Sequence, residues 1–313
     1  MENVIFGVDV GGTNCKLGLF DTDGTLLEKW EIPTDRDRVC EDVFAELCGK
    51  LTQRGLPREA VRGIGMGLPG TKDRQGRFTC PNLGWESYPA GDIMQQVSGG
   101  MTVRTGNDAN LAALGEMWRG SGVGCRNVVM VTIGTGVCGG ILIDGRVVEG
   151  AHGAGGEIGC IVVDPYETRP CPGGPQGRLE QYASATGLRA MLREALEQPH
   201  GPSLLDGEER LTVRGLFAAC EQGDALALRI LHTFADILGK GLARVAYVVD
   251  PEIFILGGGV SKAGSILLDA VQEAFRQDMP VLCHDTRFAL AALGNDAGIC
   301  GAAKLILDLT ASD

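Results

Sequence analysis

Three times in this chain an apolar run with the look of a buried strand breaks directly into glycines. Val4 to Val10 enters Gly11-Gly12-Thr13-Asn14, Val128 to Ile133 enters Gly134-Thr135-Gly136, and Ile253 to Leu256 enters Gly257-Gly258-Gly259. A residue without a Cβ lets backbone N–H groups close on a phosphate. One such loop is ordinary turn chemistry. Three in one chain suggest a nucleotide gripped from several sides, on strand-turn units of an α/β fold.

The first two loops share a wider pattern. After Asn14 come an apolar strand, Lys16 to Phe20, an Asp23-Gly24 turn and a strand from Thr25 to Ile32. After Gly136 come Gly140 to Ile143, an Asp144-Gly145 turn and Arg146 to Glu149. Asp-Gly between alternating runs is a good hairpin signal, so each half opens as strand, phosphate-type loop, strand, turn, strand. Helical spacing predicts helices over Val39 to Arg54, Ala109 to Arg119, Leu179 to Glu197, Ala225 to Val249, Ser261 to Gln277 and Ala297 to Leu309. The stretch after Gly70 reads as polar and irregular, while Pro170 to Pro175 and Gln198 to Gly207 read as surface loops.

Length and charge narrow the class. The 313 residues suffice for two domains, and 44% hydrophobic with 22% charged residues is ordinary for a globular protein. A net charge of −12 without a Lys/Arg cluster argues against nucleic acid or an anionic membrane as partner. No apolar run nears the ~20 residues of a membrane span. The 11 cysteines have no framework spacing, and no signal peptide is evident, so reduced thiols and a cytoplasmic location are expected.

Two stretches match the dinucleotide fingerprint by letter, at Gly65, Gly67, Gly70 and at Gly134, Gly136, Gly139. That fingerprint requires a helix after the glycines, and neither stretch opens one. No Gly-Lys-Ser/Thr sequence is present, which excludes a P-loop. The loop at Gly11 turns one strand back into the next, as a β-hairpin phosphate clamp would.

Lined up in order, these segments resemble the sugar kinases of the ROK family. Asp9 to Asn14 resembles its first phosphate motif, and Gly65 to Gly70 with Pro81-Asn82-Leu83-Gly84-Trp85 its sugar-binding stretch. Asn107-Asp108-Ala109-Asn110 resembles the catalytic motif and Gly134 to Gly136 the second phosphate loop. Gly155 to Gly159 resembles the sugar loop, and Glu180 to Ser184 and Gly257 to Gly259 complete the set. The resemblance implies an α/β, actin-like (ribonuclease H-like) ATPase fold with two domains and a central cleft. The expected division is 1–115, completed by a C-terminal helix at about 297–313, and 116–296. It implies an ATP- and magnesium-dependent kinase for the 6-hydroxyl of a hexose, glucose first, and often a homodimer or homotetramer. Alternatives are an N-acetylmannosamine or fructose kinase, or a non-catalytic sugar-binding or regulatory protein. The family's repressors carry an N-terminal helix-turn-helix, whereas this sequence starts on the phosphate strand.

Phosphoryl transfer asks the protein to position, neutralise charge and deprotonate the acceptor. The resemblance makes Asp108 the general base and Asn107 a sugar contact; the plainer roles are helix N-cap and turn residue. Asp9 would hold magnesium, through water, since an unpaired carboxylate on a buried strand is costly. Gly11, Gly12, Thr13 and Asn14 would line the phosphates, with Lys16 either adding charge or pointing outward from its strand. Thr132, Gly134, Thr135 and Gly136 would hold the phosphates from the second half, and Gly258 and Gly259 would admit the adenosine. Glu157 and Glu180 would accept sugar hydroxyls, Glu180 also being suited to a helix first turn. Gly70 and Asn82 are further sugar contacts.

Two departures stand out. Cys160 occupies the place of a family His that touches the sugar and helps bind a structural zinc with three cysteines. Across Cys171 to Arg178, Gly173 and Arg178 stand at the second and third cysteine positions. Of four expected ligands only Cys171 is present, with Cys160 a substitute candidate and His152 a remote one, so no stable zinc is expected. Cys138 stands where a third glycine would follow the second phosphate loop.

Overall fold

A computed structural model describes residues 3–171, 174–207, 211–279 and 281–310. In chain order the strands are β1 Val4–Val10, β2 Asn14–Asp21, β3 Leu26–Pro33, β4 Val61–Leu68, β5 Thr71–Lys72, β6 Phe78–Cys80 and β7 Trp85–Tyr88. They continue with β8 Val103–Asn107, β9 Val128–Ile133, β10 Val137–Ile143, β11 Arg146–Val147, β12 Ile253–Gly257 and β13 Arg287–Leu290. The α-helices are α1 Val39–Arg54, α2 Ala90–Val97, α3 Asp108–Arg119, α4 Leu179–Ala183, α5 Ala185–Glu197, α6 Val213–Glu221, α7 Ala225–Val249, α8 Ser265–Asp278 and α9 Ala297–Thr310. Two mixed five-stranded sheets result, ordered β3-β2-β1-β4-β8 and β11-β10-β9-β12-β13, and β5, β6 and β7 form a small sheet of their own. The chain gathers into two units: Met1–Arg126 with Gly140–Gly156 and Ala292–Asp313, and Asn127–Gly139 with Glu157–Ala291.

In the first unit, β1 runs antiparallel to β2 and parallel to β4, which is parallel to β8. Alternation along β1 explains its unbroken apolar look. Val4, Phe6, Val8 and Val10 join a core with Val39, Val43 and Leu47 of α1. Ile5, on the opposite face, packs with Ile299, Ala303 and Ile306 of α9. A strand covered on both faces loses the polar half of its pattern. Helix α9 approaches so closely that a Cβ on Gly7 would overlap the Ile299 carbonyl, and one on Gly65 of β4 the Ala302 carbonyl. Gly301 of α9 likewise meets the Leu111 carbonyl of α3.

The buried Glu116 closes the other end of α3. Its carboxylate accepts from the backbone N–H groups of Ser121 (2.9 Å), Ala292 (3.1 Å) and Leu293 (2.7 Å), fastening the segment that leads into α9. Three charge-assisted bonds offset the cost of taking the charge out of water.

In the second unit, β12 lies parallel between β9 and β13. The 25-residue α7 is capped by Asp224, whose side chain accepts from Ala227 N–H, and ends at Asp250 in the left-handed region, before Pro251. The single helix expected over Leu179 to Glu197 is two. Ser184 is extended and caps α5 by accepting from Gly187 N–H at 3.0 Å, while Ala185 N–H turns to the Gly134 carbonyl at 2.8 Å. The helix expected from Ser261 starts at Ser265, because a 3-10 turn, Val260–Ala263, runs out at Gly264 with φ 74°. The stretch after Gly70 is not irregular: it forms β5 to β7. Its strands have two to four residues, too short for a period to declare itself.

Substituting Gly301→Ala forces the α3 and α9 backbones apart and should cost about 1–3 kcal/mol of stability. Gly49→Ala, in open space on α1, should instead gain about 0.5–1 kcal/mol. Urea unfolding midpoints that move in these opposite directions bear out the close packing; equal shifts contradict it.

Candidate functional site

The expected site residues fall into two sets, one in each unit. In the first unit they collect at one edge of the sheet. Parallel β1, β4 and β8 all end there, with Asp9 opposite Gly67 and Leu68 opposite Asn107. Loops at the carboxyl ends of parallel strands are where open α/β sheets hold ligands. The β1–β2 connection is the anticipated hairpin: Gly11 N–H bonds the Asn14 carbonyl at 3.0 Å. Thr34 braces it from outside, its Oγ1 donating to the Gly11 carbonyl and its N–H to the Thr13 carbonyl, both at 2.8 Å. Gly12 and Thr13 are left exposed at the tip. Gly12 and Asn82 line a hollow of about 800 Å³ with Asp35, Asp42 and Glu46. Asn14 donates to Glu31 Oε2 at 3.1 Å.

Asp9, for which the sequence reading offered a magnesium ion, also has a partner in the protein. Lys16, opposite it in register, places Nζ 3.8 Å from Asp9 Oδ2. The carboxyl still titrates above its usual range, because burial outweighs the lysine. The cover comes from α9, where Gly298 leaves the carboxyl its room.

The roles of Asn107 and Asp108 as helix-start residues are exchanged. Asn107 is the N-cap: its Oδ1 accepts from Asn110 N–H at 3.0 Å, and its Nδ2 donates to the Gly70 carbonyl at 3.0 Å. That second bond ties the end of β8 to the end of β4. Asp108 is the first helical residue, with Oδ1 accepting from Ala109 N–H at 2.8 Å. A carboxylate at a helix N-terminus interacts favourably with the helix dipole.

In the second unit, β9 and β12 present their carboxyl ends together, Gly257 opposite Thr132. Gly258, at φ 86°, packs against the Ile133 backbone, where any side chain would collide. Gly134 N–H bonds the Gly136 carbonyl at 2.9 Å, and Thr186 Oγ1 donates to the Thr135 carbonyl at 3.0 Å. The α4–α5 break is therefore what grips this loop. Thr135, Gly136 and Glu180 line a hollow of about 520 Å³ with Arg169 and Cys171. Glu180 lies in the first turn of α4, its Oε2 placed 2.7 Å from where a Gly136 Cβ would be. Glu157 is exposed and precedes the 3-10 turn Ile158–Cys160. Gly259 is exposed, as are Cys138 on β10 and Cys160.

The region of the altered cysteines is occupied by Arg178. Its Nη1 donates to Cys160 Sγ at 3.6 Å and its Nη2 to Cys171 Sγ at 3.3 Å, while Nη2 lies 3.0 Å from Glu180 Oε1. Gly173 falls outside the described residues. Among the described residues no three His, Cys, Asp or Glu side chains group to hold a metal ion. Nearby, hydrogen bonds from Arg169 and then Tyr182 hold the Glu167 carboxyl down at about 2.

Three residues with evident work here escaped the sequence reading. Thr34 and Glu116 bond backbone groups far away in the chain, so no local spacing marks them. Arg178 was legible only as a missing cysteine, although a lone basic residue just before a helix with an acidic first turn offered a signal.

The ROK family profile matches residues 5–309. The chain is 37% identical to a glucokinase of Halalkalibacterium halodurans over 310 residues, covering 96% of this chain and 94% of the relative. Its fold is similar to that of a ROK hexokinase from Thermus thermophilus, at TM-score 0.83 and 31% identity over 99% of both chains. A ROK family glucokinase from Streptomyces griseus, solved with glucose and AMPPNP, is similar at TM-score 0.75 and 33% identity over 97% of this chain and 99% of that one. The two mixed sheets are those of the actin-like ATPase fold. A match running through nearly every residue, on a shared fold, places this chain in the ROK family.

Proposed function

We propose that the chain is an ATP-dependent kinase for the 6-hydroxyl of a hexose, with glucose its foremost substrate. The observation that carries this reading is Asp108, set at the mouth of parallel β4 and β8 beside an Asn107 locked to Gly70. The Streptomyces griseus relative, with glucose and AMPPNP bound, supports the choice of ligands.

In this mechanism Asp108 takes the proton from the acceptor hydroxyl, its carboxylate aimed by the Ala109 N–H. Asn107, Glu157 and Glu180 orient the sugar, and Gly70 and Asn82 complete its surroundings. The Gly11–Asn14 hairpin and the Gly134–Gly136 loop receive the phosphates of MgATP, and the Gly258-Gly259 turn the adenosine. Asp9 fits the magnesium ion held through water. Burial raises its carboxyl despite Lys16, so a hydrated dication would supply the counter-charge that one lysine leaves short. Among the described residues no helix is long and apolar enough to cross a membrane.

Coupled assays with MgATP and glucose, mannose, fructose and N-acetylmannosamine test the reading. Turnover of glucose with Asp108→Asn lowering kcat about 10²–10⁴-fold supports it. Absence of turnover with every sugar refutes it.

Asp9→Asn separates stability from function. A carboxyl whose folded pKa is raised penalises folding once it ionises, so the penalty is absent in acid. It builds as pH rises above the ordinary value of 3.8 and through the folded one. At pH 7 Asp9→Asn should therefore melt higher than the parent and lose phosphoryl transfer, and the Tm gap should close on acidification. A lower Tm at pH 7 would contradict the burial argument.

A further inference from the structure

We propose that Arg178 is the positioning residue of the sugar-side carboxylates in the second unit, its guanidinium standing as a cross-link where the fold family implies a metal. This rests on the kinase reading for what the carboxylates do, though not for what the cross-link holds together.

The residues present do not fit a structural zinc. Such a site needs four N or S donors, and the thiols of Cys160 and Cys171 are both already engaged by one guanidinium. A zinc ion there would meet a permanent cation, since arginine does not give up its proton in proteins. The packing is built around the guanidinium instead. Arg178 is 5% exposed, and a Cβ on Gly174 would overlap its Nη1 group.

Three segments converge on this group. Cys160 closes the turn that follows Glu157, Cys171 lies seven residues before Arg178, and Glu180 is in the first turn of α4. The backbone reinforces the arrangement: Arg178 bridges to Val162, and Leu179 N–H bonds the Ile161 carbonyl at 2.8 Å. The planar fork spends Nη2 on Cys171 and Glu180 and Nη1 on Cys160, a division that a lysine's single ammonium cannot copy in fixed directions. With Oε1 held by Arg178, the Glu180 carboxylate has its Oε2 turned against Gly136 of the phosphate loop. One cation thus orients Glu180 and anchors the turn that carries Glu157.

The test uses the full chain with Arg178→Met and Arg178→Lys. Loss of a supporting partner of this kind should raise the glucose KM about 10–100-fold in Arg178→Met while kcat and the ATP KM move far less. Arg178→Lys should recover part of the loss. Hydrogen exchange should quicken in peptides spanning 158–161 and 174–181, and stay unchanged in the first unit. Chelator treatment of the parent should leave its Tm where it was. Unchanged exchange in both variants would overturn the proposal, as would one zinc per chain whose removal lowers the Tm. So would a glucose KM equal to the parent's in Arg178→Met. If the parent phosphorylates no sugar, the kinase reading fails and the exchange and chelator results still decide on Arg178. Should Arg178→Met fail to fold, the same readings on Arg178→Lys and Cys171→Ser decide.

Discussion

The approach of α9 to the first sheet is the constraint on which the rest of the first unit depends. Backbone-to-backbone packing at Gly7, Gly65 and Gly301 leaves no space for a methyl group. That contact buries the Ile5 face of β1 and covers Asp9 at the strand's end. It also fixes α3, and with it Asn107 and Asp108 at the helix start. The same helix is moored at its entry by the Glu116 carboxylate, which reaches Ala292 and Leu293 from the far end of α3. Glycine here is a packing requirement and not a flexible joint. Interiors this dense transmit displacement instead of absorbing it.

In both units the residues proposed for the chemistry stand where parallel strands end: Asp9, Gly70, Asn107 and Asp108 in one, Thr132 and Gly134 in the other, beside Gly257. Strand-end loops carry polar side chains and free backbone direction at once, while the strands behind them are held by core on both faces. What differs is how each loop is braced. In the first unit Thr34 holds the hairpin carbonyls; in the second, Ala185 and Thr186 hold those of Gly134 and Thr135 from the start of α5.

The sequence disclosed the strand-to-glycine loops, the hairpins and the long helices, because these are written in local periods. Val39–Arg54 and Ala225–Val249 stand as read. It was silent where tertiary contact decides. The helical pattern breaks at Ser184 because the Ala185 N–H is taken by the Gly134 carbonyl, and β5 to β7 are too short to show a period. Asp9 gained Lys16 only through cross-strand register, which the hairpin signal implied but did not spell out. Arg178 shows the limit most clearly. Compared with a pattern of ligands it is a loss, and compared with its neighbours it is a hub.

The cover over β1 has a consequence for how the molecule comes into being. Residues 5–9 are synthesised nearly three hundred residues before the segment that shields their second face, 297–303. Contacts of such long sequence separation are slow to close and leave apolar strand surface open in the meantime. The nascent first sheet must therefore wait, covered on one face only by α1, α2 and the β5–β7 segment, through synthesis of the whole second unit. Loss of α9 would uncover β1 and β4, strands made long before it, and not its neighbours in sequence.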